Sequence, residues 1–201
     1  MAAEETKDTY LTLAEPSEAV YKEQKSKFLA FAHPAPTEAA VREVLQSLRK
    51  QYFDARHHCY AYVLGEQQED FRANDDGEPN HSAGDPILGQ IRARGLTYVL
   101  VVVIRYFGGV KLGVGGLIQA YKTAASEALG QATVVERVVT HQLSLTFAYV
   151  RLNDVMRVVK DYDLTLAGQQ FDTTCTVTVL VRKKWAETVR AKLAEIVTQI
   201  H

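Results

Sequence analysis

The chain has 201 residues, 47% of them hydrophobic and 23% charged, with a net charge of −1. That balance belongs to a globular protein able to bury one large core or two small ones, and no internal repeat or low-complexity tract interrupts it. The longest apolar run, 98–104, is broken by Arg105 and falls short of a membrane span, while the acidic start MAAEETKDTY lacks the hydrophobic centre of a secretion signal. Cys59 and Cys175 lie far apart and in no CxxC pair, so the expectation is reduced thiols in the cytoplasm, with no zinc and no cofactor implied.

In chain order, residues 18–32 alternate enough for two extended segments, the second at 27–32, before Pro34 and Pro36 intervene. Thr37 is placed to cap a helix whose apolar face is Ala40, Val41, Val44, Leu45 and Leu48. RHHCYAYVLG alternates as a strand, and 66–83 reads as polar turn. Asp85 and Pro86 predict a cap followed by a first-turn proline, with a short helix on Ile87, Leu88 and Ile91 ending at Gly95. After Arg137 the pattern becomes strand 142–149, helix 152–162, strands 164–171 and 174–181, and helix 183–196. This β-α-β-β-α order is a split βαβ unit whose last strand is minimal or absent. The expected division is therefore 1–137 and 138–201, held close, since no Gly/Ser or Pro-rich linker marks the junction. Residues 1–137 carry 15 basic and 18 acidic side chains and 138–201 carry 8 and 6. That mild asymmetry neither demands nor excludes nucleic acid.

Residues 96–121, LTYVLVVVIRYFGGVKLGVGGLIQAY, join a buried strand at 98–104 directly to a helix that opens at Val114. Gly108, Gly109, Gly113, Gly115 and Gly116 lie between and at its start, where unpaired backbone N–H groups can hold an anion. Formal nucleotide motifs fail: Val114 stands where a Walker loop needs Lys, and Ile118 where the dinucleotide fingerprint needs Gly or Ala. A less specific anion cradle remains, with Arg105 before it and Lys111 within it. The competing reading is a tight turn that packs its helix closely.

NDDGEPNH concentrates Asp75, Asp76 and Glu78 around Gly77 and Pro79. Such carboxylates can hold a metal or divide acid from base, but DDGEP is also turn chemistry, which is the favoured reading. Arg56, His57 and His58 open a strand, where the two histidines must face opposite sides. The lysines of KSKF and the RYF of 105–107 combine cations with aromatics, as in single-strand nucleic-acid binding or in a solvated edge strand.

Together KSKF, ARHHCYAYV, NDDGEPNHSAGDPIL and VVVIRYFGGVKLGVGGLIQAY resemble the IMPACT family in its two-domain bacterial form, departing from the usual pattern at Asn74, Asn80 and His81. The resemblance implies an α+β fold. Its N-terminal domain would be similar to domain IV of elongation factor G, and its ferredoxin-like C-terminal domain similar to domain V. It also implies a role in translational control, which eukaryotic relatives exert on the activator of a starvation-responsive kinase. The expected function is thus non-catalytic binding of RNA, the ribosome or a translation-associated protein, with no membrane partner. The expected contact surface is Arg56, His57, His58, the 75–78 loop (Asp75, Asp76, Gly77, Glu78), Arg105, Lys111 and the glycines 108–116. The alternative is an enzyme on a small phosphorylated or peptidic substrate, with a histidine base and a metal held by the acidic loop.

Overall fold

The computed structural model describes residues 8–172 and 174–201, so most of the acidic start read above lies outside the described residues. The protein is a mixed α/β chain. Its first elements are β1 (Thr9–Leu13), β2 (Ser17–Glu23), β3 (Ser26–Pro34), α1 (Glu38–Gln51), β4 (His57–Leu64) and β5 (Asp70–Asn74). There follow α2 (Gly84–Ala93), β6 (Val99–Tyr106), α3 (Gly113–Gln131) and β7 (Val134–Val138). The remainder is β8 (Thr140–Ala148), α4 (Leu152–Asp161), β9 (Thr165–Gln170), β10 (Thr174–Arg182), α5 (Ala186–Ala194) and β11 (Gln199–Ile200). Two compact units result, one of residues 10–137 and one of residues 138–201 with 8–9.

Among the described residues of the larger unit, a five-stranded sheet runs in the order β2-β3-β6-β4-β5, with every neighbouring pair antiparallel. β6 is central, and its unbroken apolar run is explained by cover on both faces. Val99, Val101 and Val103 point with Phe28, Ala30, Cys59 and Ala61 into a core closed by α2 and α3. Leu100, Val102 and Ile104 point with Phe31, Tyr60 and Tyr62 into a second core closed by Val41 and Leu48 of α1. Each such Val, Leu or Ile contributes about 1.5–3 kcal/mol when fully buried. Thr37 caps α1 as its position in the sequence predicts, its hydroxyl accepting from the Ala40 N–H at 3.2 Å.

In the smaller unit the sheet order is β11-β8-β10-β9, again antiparallel. Leu143, Leu145 and Phe147 of β8 and Val177, Val179 and Val181 of β10 turn inward against Val155, Val158 and Val159 of α4 and Val189 and Leu193 of α5. The closing strand, read as minimal or absent, is the two-residue β11. Arg182 forks onto the carboxylate of Asp8 at 3.1 and 3.3 Å.

Three features differ from the sequence reading. β5 lies inside the tract read as turn; it is an edge strand, exposed through its first three residues, so it carries no apolar alternation. The short pair β1 and β7 forms a separate two-stranded sheet that periodicity does not reveal. The last helix begins at Ala186, preceded by a 3-10 turn at Lys183–Trp185.

Candidate functional site

All four motifs singled out in the sequence meet at one end of the larger sheet. β3 and β4 flank β6 in a register that places Phe28 and His57 opposite Arg105. Directly opposed residues share a face, so Arg105 turns towards the α2–α3 side, where only 7% of it is exposed. A charge buried there needs a partner. Glu78 supplies it, its Oε1 accepting from Arg105 Nη1 at 2.7 Å and from the Tyr121 hydroxyl at 2.7 Å. Beyond Tyr121, the Cys59 thiol lies 3.3 Å from the phenol oxygen and 3.0 Å from the Asp75 carbonyl. Burial pushes both the Cys59 thiol and the Tyr121 phenol up, so both remain neutral hydrogen-bond donors. Phe28 stands edge-on to Tyr121, ring centres 5.2 Å apart. The Arg105 guanidinium lies 5.6 Å from the ring centres of both Phe28 and Phe107.

The carboxylates of the acidic loop diverge. Asp75 Oδ1 accepts from the N–H groups of Ala83 and Gly84 at 2.9 and 2.8 Å, and its Oδ2 from the His81 N–H at 2.8 Å. Burial acts to raise the Asp75 pKa, but those backbone donors prevail and hold the carboxyl below its ordinary value. The start of α2 is therefore served by Asp75, not by the Asp85–Pro86 pair; Asp85 sits in the first turn and bonds His81 at 2.7 Å. Asp76 Oδ2 accepts from the His58 N–H at 2.7 Å and its Oδ1 from Arg49 at 2.9 Å, while its carbonyl accepts from His57 Nδ1 at 2.9 Å. Asn74 steadies the bend by accepting from the Asp76 N–H at 2.8 Å. The three carboxylates thus serve helix start, strand start and buried ion pair respectively. Among the described residues, no group of three or more His, Cys, Asp or Glu is placed to hold a metal ion.

The two histidines part as strand geometry requires. His57 lies on the Arg105 side, with Gly77 packed so that an added Cβ would stand 3.4 Å from its Nδ1. His58 is buried on the α1 side, where burial lowers its pKa against the opposing pull of Asp76.

The glycine turn is built by contact and by φ. A Cβ on Gly108 would stand 2.0 Å from the Lys25 carbonyl carbon, so only glycine lets the turn lie against the β2–β3 hairpin, where its N–H donates to Ser26 Oγ at 3.2 Å. Gly113 opens α3 at φ +72°, a backbone state that disfavours any side chain. Gly109 and Gly115 are exposed and meet nothing, and Gly116 packs on Leu112. Two clefts adjoin this turn and share Arg105 and Phe107. One, of about 350 Å³, is lined by Arg56, His57 and Tyr106 among others. The other, of about 300 Å³, is lined by Glu78, Lys111, Gly113 and Val114 among others.

Of the residues expected at a site, Arg56, His57, Arg105, Lys111, Gly113 and Glu78 thus line these clefts, whereas the His58 ring lies on the other face of the sheet. Sequence reasoning left out Tyr121, Cys59 and Arg49, and it named Phe107 only within the RYF of 105–107, outside the expected contact surface. Phe107 and Tyr121 stand inside the long glycine motif and Cys59 inside the histidine strand, which was the available signal; Arg49 has none.

A sheet with helices on both faces, whose polar corner gathers these motifs, is the fold of a particular domain class: residues 24–129 match the Impact N-terminal domain. The chain belongs to the IMPACT family. It is 31% identical over 191 residues to the IMPACT family member YigZ of Escherichia coli, covering 94% of this chain and 93% of that one. To the IMPACT family member YvyE of Bacillus subtilis it is 38% identical over 158 residues, covering 79% and 73%. A crystal structure of a hypothetical protein superposes with a TM-score of 0.72 at 30% identity, covering 94% of this chain and 92% of that one.

Proposed function

We propose that this protein is a cytoplasmic regulator of translation that acts by binding the ribosome, through RNA or a ribosome-associated protein, without catalysis. Family membership supports the link to translation. The observation that carries the binding reading is the commitment of the whole acidic loop to protein donors, while Arg56 and Lys111 stand exposed around Arg105. Carboxylates held in that way frame a cationic surface; Asp76 lies 3.9 Å from His58 Nδ1, but its two oxygens already accept from the His58 N–H and Arg49. No helix among the described residues is long and apolar enough to cross a membrane, which is compatible with this reading.

The same proposal takes residues 1–137 as an IMPACT-type domain comparable to domain IV of elongation factor G. It takes residues 138–201 as a ferredoxin-like domain comparable to domain V. The strand order β11-β8-β10-β9, with α4 and α5 as the crossovers, supports the second part. Both comparisons are analogies of fold, and the function rests on the site.

Co-sedimentation with ribosomes over a salt series tests the proposal. Association that weakens as salt rises is the expected result, because cation–phosphate contacts release counterions. A protein that stays in the supernatant at low salt, or one that turns over a small phosphorylated or peptidic substrate, would count against it.

A further inference from the structure

Phe107 directly follows the central strand β6 and is 57% exposed, although β6 is buried from Val99 to Arg105. It stands between the two clefts and lines both. Arg56 and His57 lie on one side of it, and Lys111 with the first residues of α3 on the other. α3 has Leu112 at its cap position and, among the described residues, no side-chain cap bond for its first-turn N–H groups. A second observation points the same way. Arg105, almost wholly buried, lines both clefts, and its Nε has no hydrogen-bond partner among the described residues.

We propose that this surface binds single-stranded RNA, with one base stacked on Phe107. The phosphate on one side of that base is held by Arg56, and the phosphate on the other by Lys111 and the α3 N-terminus. The inference rests on the reading of the protein as a ribosome-associated regulator and names the ligand of that same site. Aromatic faces accept any base and cations track the backbone, so recognition is tolerant of sequence. Gly113 and Gly115 leave the start of α3 without side chains that would keep a phosphate from its amides. A duplex hides its bases and cannot stack in this way. The contact of His57 Nδ1 with the Asp76 carbonyl leaves Nε2 as the ring nitrogen for a ligand, suited to a hydrogen bond with the ribose 2′-hydroxyl that DNA lacks.

The test is a fluorescence titration of the full chain with a short unstructured RNA, the DNA of the same sequence and the RNA duplex, each over a salt series. Phe107→Ala should weaken RNA binding by about tenfold or more, and Phe107→Tyr should retain it, since stacking is what the substitution removes. Arg56→Ala and Lys111→Ala should each lower the slope of log K against log salt by about 0.7. His57→Ala should abolish the preference for RNA over DNA. All these side chains are exposed or half-buried, so the variants will fold. Phe107→Ala binding as tightly as the parent, or the duplex binding as well as the single strand, overturns the inference. Ribosome association unaffected by Phe107→Ala overturns it while leaving the broader function standing. RNA binding through Phe107 without ribosome association removes the broader function and leaves the site.

Discussion

Glu78→Ala deletes one oxygen that accepts from both Arg105 and Tyr121, and it leaves a guanidinium stranded. The side chains of the pair are 7% and 4% exposed, so little water reaches Arg105 in place of the lost acceptor. Breaking a buried pair in this way costs about 3–5 kcal/mol. A typical domain has only about 5–15 kcal/mol in total. With a urea m-value of about 2 kcal/mol/M, the unfolding midpoint should fall by about 2 M, read by circular dichroism. A companion variant separates charge from shape. Glu78→Leu with Arg105→Met and Tyr121→Phe replaces the polar cluster by apolar groups of similar size. It should recover to within about 1 kcal/mol of the parent or exceed it, because desolvation of both ions is removed along with their attraction. If Glu78→Ala unfolds at the parent midpoint, or the triple variant is as unstable as the single one, the buried pair does not hold this corner together.

Three further outcomes follow from the same geometry. Gly108→Ala should prevent stable folding of the larger unit, or cost more in thermal unfolding than alanine at any other glycine of the turn, because the added Cβ meets the backbone of Lys25 and Ser26. Gly115→Ala meets open space within a helix and should stabilise by up to about 1 kcal/mol in urea unfolding. The same change should weaken RNA binding by obstructing the approach to the α3 amides. Asp75→Ala should cost about 0.5–2 kcal/mol at neutral pH, as the loss of a helix cap does. Since the folded pKa of Asp75 lies below its ordinary value, its contribution is complete above the unfolded pKa and is lost as pH falls through the folded one. The difference between parent and variant should therefore vanish in acid, measured by urea midpoints across a pH series.

Periodicity made β6 legible because seven apolar residues in succession admit few alternatives, and it made α1 legible because Thr37 marks its start. It did not reveal β5, whose residues DFRAN follow no apolar rhythm, nor β1 and β7, a short pair whose β1 also sets Leu13 into the larger core. Short paired or edge strands owe their existence to tertiary hydrogen bonds that a local pattern does not encode. The glycine turn was legible as an unusual feature, but the reason for Gly108 was not, because the hairpin backbone it packs against lies far off in sequence. Glu78 teaches the same lesson. Turn chemistry explains Asp76 and Gly77, at φ +42° and +88°, yet the residue after them leaves the turn for a buried ion pair with a strand residue. Reading Asp75 to Glu78 as one acidic group merged three carboxylates that have three separate tasks.

The most direct test of the proposed function is ribosome co-sedimentation of the parent chain beside Phe107→Ala at low and high salt. The parent should pellet with ribosomes at low salt and release as salt rises, and Phe107→Ala should remain largely in the supernatant. A parent chain that never pellets, or pelleting that neither salt nor Phe107→Ala reduces, would contradict it.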